Sequence, residues 1–250
     1  MDLIRKINNS RSIFRKYLEP EWDISQISDY SNEEIERMYT SKNQDDNISF
    51  GKASNLNITL NHNKIKGHKL HIIYYNFPEL NTPSLKVTKT CGDKMLSLYS
   101  NELIDPEDSI ILIITEIITE NIEKTIEDVY KKGQEQLLID NLSDNIVEQN
   151  EKLNENKYNP THFRNIHLFN IDHLGIDIGK HVIVPDHKCI RSKPEIDKIL
   201  KDTNTVPQQL PVILRTDPMA KLLRLAPGDL CEIIRISERC GEYTFYRICE

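Results

Sequence analysis

The run SIILIITE, Ser109 to Glu116, restricts the fold more than any other stretch of this chain. Five consecutive apolar residues, Ile110 to Ile114, leave no polar face to turn to water, so the segment reads as a strand buried on both faces of a sheet. It is also the longest apolar run, far short of the roughly 18–20 residues that a membrane span requires. The start, MDLIRKINNS, lacks the apolar core of a signal peptide. No membrane partner is expected.

Around this strand the N-terminal sequence supplies elements of mixed type. Leu3, Ile7, Phe14 and Leu18 recur at helical spacing and predict a helix over 3–18, with Arg5, Lys6, Arg11, Arg15 and Lys16 on a solvated face and Pro20 ending it. Ser31 followed by Glu34 is a capping box opening a helix to about Tyr39. Ser41 to Asn63 is polar, with weak alternation at Ile58 and Leu60. KLHIIYYNF, Lys69 to Phe77, is a strand stopped by Pro78. After SIILIITE, Thr119 caps a helix carrying Ile122, Ile126, Val129 and Tyr130, which Gly133 is expected to stop. Helix, strand, strand and helix make an α/β layer. Asn150 to Pro160 has little to bury and reads as a surface loop or insertion, followed by short strand-like pieces, NIHLFNI and GIDIGK.

From His181 the signals change. HVIVPDH reads as a strand that Pro185 ends or places at an edge. Ser192 and Glu195 form a second capping box for a helix carrying Ile196, Ile199 and Leu200. QQLPVIL is strand-like. Asp217 is an N-cap with Pro218 at the first helical position, and Pro227-Gly228 makes a turn. LCEIIRIS and YTFYRIC alternate around ERCGE and pair as an antiparallel hairpin. The expected fold class is α+β: a mixed α/β domain over 1–177, then a small α+β domain over 178–250 with a mostly antiparallel sheet and two short helices.

Composition limits the function classes. The formal charge of −7 divides unevenly: residues 178–250 carry 12 Lys/Arg and 10 Asp/Glu, whereas the remainder carries 20 and 29. Neither part is the basic platform of a self-sufficient nucleic-acid binder, which argues against a free-standing DNA-binding regulator. Five scattered cysteines, Cys91, Cys189, Cys231, Cys240 and Cys249, form no CxxC pair and read as reduced thiols. Gly is scarce while Ile and Asn abound, the trace of an AT-rich genome. No GxSxG, Walker loop, HExxH or paired-carboxylate motif occurs. His162, His167 and His173 are scattered among apolar residues and carry no ligand pattern.

The last seventy residues resemble the C-terminal assembly domain of the fifth subunit shared by eukaryotic RNA polymerases, and its archaeal counterpart. The resemblance rests on an ordered series: His181, Val184, Pro185 and His187; Leu210 and Pro211; Asp217, Pro218 and Ala220; Pro227, Gly228 and Asp229; Arg235, Ser237 and Gly241; and Tyr246 with Arg247. The leading helix, SIILIITE and the following helix resemble the family's jaw domain, although its Thr-Pro-Ser-Ala-like loop is replaced by TEIITENIEK. Two departures stand in the C-terminal part. Arg224 occupies a position where the family has glycine, so a positive φ there would be strained, and Ile236 replaces a proline.

This resemblance implies a non-catalytic subunit of a multisubunit DNA-directed RNA polymerase. Its assembly domain would dock on the largest subunit and meet other polymerase subunits. Its jaw would reach weakly toward downstream duplex DNA, without cofactor, metal or small-molecule substrate. The jaw resembles the eukaryotic form, and with the AT bias it would suit a large cytoplasmic DNA virus (virion and host cytoplasm) or an AT-rich eukaryote (nucleus). His181 and His187, beside Asp186 and Cys189, lack the second ligand pair of a metal site; one is expected to bond the backbone and the other to meet solvent or a partner. Arg235, Arg239 and Arg247 are the expected partner contacts. The alternative from another class is a small α/β nuclease or hydrolase.

Overall fold

A computed structural model describes residues 2–41, 53–79, 86–87, 90–140, 142–153, 158–237 and 241–250. Arg239, Cys240 and the side chain of Ser237 lie outside the described parts. The chain folds as two units: Met1–Ser143 with Arg164–Ile176, and Asp144–Phe163 with Asp177–Glu250. No helix among the described residues is long and apolar enough to cross a membrane.

In the first unit, α1 (Leu3–Leu18) buries Ile4, Ile7, Phe14 and Leu18. Arg11, expected in solvent, is buried as well. Its guanidinium lies 5.1 Å from the Tyr30 ring centroid and reaches the Leu56 carbonyl at 3.4 Å. The next helix, α2 (Asn32–Thr40), opens on the expected box, Ser31 and Glu34 each satisfying the other's backbone N–H. One sheet follows, from β1 (Ile58–Asn61), β2 (Lys69–Tyr74), β3 (Ser109–Ile114) and β4 (Ile166–Asn170), in that order. The first pair is antiparallel; β2, β3 and β4 are parallel. Every residue of β3 is buried, as its unbroken apolar run requires.

Parallel neighbours need crossovers, supplied by α3 (Thr90–Ser100) and α4 (Glu120–Asp140). Both helices pack on one face of the sheet, Met95, Leu98, Ile126 and Val129 meeting Ile73, Ile110, Leu112 and Leu168. α4 runs past Gly133, which does not stop it. A Cβ at Gly133 would sit 2.7 Å from Arg164 Nε, so the glycine makes room for that side chain, whose guanidinium stacks 4.1 Å from the Tyr99 ring centroid.

The second unit begins with α5 (Asp144–Lys152), a helix whose end enters the stretch expected to be loop. Asn150 is buried and exchanges two hydrogen bonds with the backbone of Tyr158, at 3.0 and 2.9 Å. His162 and His167 are buried, the latter on β4 of the first unit. GIDIGK is a 3-10 turn, not a strand. A four-stranded sheet follows in the order β5 (Asp186–Ile190), β7 (Leu230–Ser237), β8 (Gly241–Cys249), β6 (Val212–Ile213). Only Val212 and Ile213 of QQLPVIL pair, and they run parallel to β8, so the sheet is mixed. The β7–β8 hairpin has the expected antiparallel register, from Leu230↔Ile248 to Ser237↔Gly241.

Two helices accompany this sheet, α6 (Lys193–Asp202) and α7 (Pro218–Leu222). At α6, Ser192 stands at the N-cap but its hydroxyl makes no capping bond, so the expected box is not formed. At α7, Asp217 caps as expected, Oδ1 accepting the N–H groups of Met219 and Ala220 at 2.8 and 3.3 Å. The small core joins Ile213, Ala220, Leu225, Cys231, Ile233 and Cys249.

Candidate assembly surface

HVIVPDH divides at its proline. His181 to Val184 form a turn, closed by Val184 N–H on the His181 carbonyl at 2.9 Å, and the strand starts only at Asp186. Proline cannot donate to a ladder, so it precedes the edge strand β5 instead of ending one. The turn lifts Val182 and Ile183 out of the domain, 100% and 82% exposed. His187 Nδ1–H donates to the Pro185 carbonyl at 2.7 Å and fixes the entry to β5. His181 is exposed, and its Nδ1 accepts the Ile183 N–H at 3.3 Å.

Opposite this turn stands the far end of the hairpin. The core face of β7 carries Cys231 and Ile233, and alternation puts Ile236 on the other face, where it is 87% exposed. Tyr243 pairs across from Arg235. Between turn and hairpin lies a groove of about 520 Å³ whose apolar walls are Val182, Ile183, Pro185, Ile236 and Tyr243. Asp186, Glu242 and Arg235 supply charge along it. Both Arg235 and Arg247 hold their guanidinium over Phe245, at 5.3 and 5.4 Å from the ring centroid.

The residues that carry the resemblance thus separate into two groups. His181, Pro185, His187 and Arg235 lie at or beside the groove, with Ser237 and Gly241 at the end of the hairpin (Gly241 at φ 70°). The others build the frame. Leu210 is half-buried and Pro211 accepts the Ile248 N–H at 3.0 Å, placing β6 against β8. Arg247 Nη1 reinforces that junction by donating to the Val212 carbonyl at 2.8 Å. Tyr246 donates to Glu232 across the hairpin at 3.2 Å. Asp217 and Pro218 start α7. Gly228, at φ 94°, fills the third position of a turn closed by Asp229 N–H on the Ala226 carbonyl.

Arg224 does adopt the left-handed backbone that its position implied, with φ 52°. It ends α7 in a Schellman arrangement: Leu225 N–H reaches back to the Ala220 carbonyl at 2.9 Å and Arg224 N–H to that of Lys221 at 3.1 Å. A buried arginine holds the turn from outside. Arg191, just past the end of β5, donates to the Leu223 and Arg224 carbonyls at 2.7 and 2.6 Å and to Asp229 Oδ2 at 3.0 Å. Asp229 Oδ2 also accepts the Ala226 N–H at 2.8 Å. Neither the Arg191 network nor the exposure of Val182, Ile183 and Ile236 is legible in the sequence; apolar alternation alone marks such residues as core.

Burial pushes the Cys231 and Cys249 thiols up to about 12, with Asp217 and Asp229 respectively adding to the effect. These are inert packing thiols, with no nucleophilic or ligand character at neutral pH.

The comparisons with known proteins concern this same part of the chain. The family model "RNA polymerase Rpb5, C-terminal domain" matches residues 176–249. The DNA-directed RNA polymerase subunit Rpo5 of Sulfurisphaera tokodaii is 44% identical over 74 residues, which is 30% of this chain and 87% of that subunit. This chain belongs to the Rpo5/Rpb5 family. The Rpo5 subunits of Pyrococcus horikoshii (43% over 72 residues, 87% of its length) and Methanothermobacter thermautotrophicus (39% over 74 residues, 95%) match as well. These relatives account for 29–30% of the present chain, so the Rpo5-like part is the unit that carries the groove and the Arg191 network.

Proposed function

We propose that this Rpo5/Rpb5 family member is a non-catalytic assembly subunit of a multisubunit DNA-directed RNA polymerase. Residues 178–250 form an assembly domain that docks on the largest subunit, and residues 1–177 form a jaw facing downstream duplex DNA. The folding of the chain into two units, with 144–163 joining the C-terminal one, supports this division. The observation that carries the docking is the groove. Val182, Ile183 and Ile236 are 82–100% exposed beside one another along a groove, in a domain that keeps its own small core elsewhere, the mark of a surface that another protein covers.

The jaw's charge of −9 supports a weak, indirect part in DNA binding, with the phosphate-neutralising charge supplied by larger subunits. The Ile- and Asn-rich usage supports an AT-rich source, either a large cytoplasmic DNA virus or a eukaryote. The protein would then act in virion and host cytoplasm or in the nucleus.

The test is co-purification of the tagged full chain with its polymerase. Ile183→Asp with Ile236→Asp changes two exposed side chains, so the fold and melting temperature should hold while the other polymerase subunits are lost from the eluate. Retention of those subunits at wild-type stoichiometry would sink the reading. Deleting residues 235–250 is a poorer test, because it removes β8 from between β7 and β6.

A further inference from the structure

A hydroxyl, an imidazole and a carboxylate are linked in line on the first unit, at the open end of its sheet. Thr59 lies on β1, exposed, and its register partner across the ladder is His71 on β2. Thr59 Oγ1 is 3.1 Å from His71 Nδ1, and His71 Nε2 is 2.9 Å from Asp108 Oδ2. His71 is 8% exposed and Asp108 not at all.

The proton positions follow from the acceptors. A carboxylate only accepts, so Asp108 takes the Nε2–H, and in the neutral form of the ring this leaves the Nδ1 lone pair facing the Thr59 hydroxyl. Asp108 is itself fixed: Oδ1 accepts the Lys69 N–H at 2.8 Å, and its backbone carbonyl accepts the Tyr99 hydroxyl at 2.8 Å. Lys69 Nζ is turned to Asp105 at 2.8 Å, so the ammonium nearest the carboxylate is already paired. A hydroxyl held by a base, and the base oriented by a buried acid, is the arrangement that activates an oxygen nucleophile. Joining the strands would need only the His71–Asp108 pair; the third member adds an accessible hydroxyl with a base attached.

We propose that Thr59 is a covalent modification site that accepts an acyl group from an activated acyl donor of the thioester class. The Thr59 oxygen attacks the carbonyl carbon while its proton passes to His71 Nδ1. The carbon–sulfur bond then breaks, and the thiolate leaves with that proton, giving a Thr59 ester and a free thiol. No electrons are exchanged and no metal is involved. An acyl carbon is favoured over a phosphoryl group because the Asp108 carboxylate behind His71 would repel a phosphate dianion. The transfer is stoichiometric and needs no catalytic turnover, so it stands independently of the assembly reading.

Full-length protein treated with p-nitrophenyl acetate, an activated ester that reports the same attack, should gain one acetyl group mapped by peptide mass spectrometry to Thr59. Thr59→Ala, at an exposed position, should abolish that adduct without moving the melting temperature, and Thr59→Ser should keep it. His71→Gln, checked for an unchanged fold by circular dichroism, should slow acetylation at least about 100-fold. Acetyl groups found only on lysines, or equal Thr59 acetylation in folded His71→Gln protein, would overturn the proposal and leave the three residues as a strand-pinning network.

Discussion

Arg191 and Asp229, distant in sequence, meet as a buried ion pair at 3.0 Å, their side chains 6% and 1% exposed. A pair so far from water stabilises only when further donors and acceptors are met, and here the Nη2 of Arg191 serves two carbonyls while Asp229 also takes a backbone N–H. The pair therefore fastens the edge strand β5 to the loop between α7 and β7.

Removing one partner leaves the other charged and buried. Arg191→Met should destabilise the protein by about 3–5 kcal/mol in urea unfolding followed by a probe in the C-terminal unit. Arg191→Lys should recover little, because an ammonium cannot reproduce the planar fork that meets three acceptors. A loss below about 1 kcal/mol in Arg191→Met would show that the network contributes little.

The Arg224 backbone can be tested apart from its side chain by comparing two truncations. Arg224→Gly and Arg224→Ala remove the same buried guanidinium, but only glycine occupies φ 52° without strain. The glycine variant should be more stable than the alanine variant by about 1 kcal/mol. Equal stabilities would mean that the turn had been rebuilt.

Gly133→Ala should reverse the usual sign. Alanine inside a helix is ordinarily better than glycine by roughly 1 kcal/mol. Within α4, however, the added Cβ would meet Arg164 Nε at 2.7 Å and Cδ at 2.9 Å and displace the guanidinium from Tyr99. A lower melting temperature for Gly133→Ala is expected, and a raised one would refute the steric account.

Stability should fall in alkali. Burial holds Cys231 and Cys249 at about 12, and Cys91 at about 11, above the ordinary 9.0. Above pH 9 the unfolded chain gives up thiol protons that the folded chain retains, so unfolding gains ground as pH rises from 9 toward 12. Chemical denaturation midpoints measured from pH 8 upward should decline, and Cys231→Ala should flatten the slope whatever its effect at pH 8.

How much of the fold is legible in the sequence depends on whether neighbours along the chain carry the signal. Helix α1 is legible because Leu3, Ile7, Phe14 and Leu18 repeat at the helical period, and β3 because its apolar run admits no exposed face. The hairpin is legible from alternation around ERCGE. Helix α3 is not, since Cys91 and Gly92 stand in its first turn and its burial is set by contact with the sheet and α4. Gly133 resembles a terminator because its partner, Arg164, comes from another element. Val182 and Ile183 resemble strand residues because a local pattern records apolar character without saying whether it faces the core or the surface. The framing residues Asp217, Pro218 and Gly228 sit where their turn and cap chemistry demands, whereas the Arg191–Asp229 pair leaves no local trace.

The place of β8 has a consequence for biosynthesis. A strand flanked by β7 on one side and β6 on the other is made after both, so neither neighbour can complete its hydrogen bonding until residue Cys249 has left the ribosome. The nascent C-terminal unit must wait with Val212, Ile213 and the edge of β7 unpaired. Closure of this sheet therefore waits on the synthesis of β8, although β6 and β7 precede it in the chain.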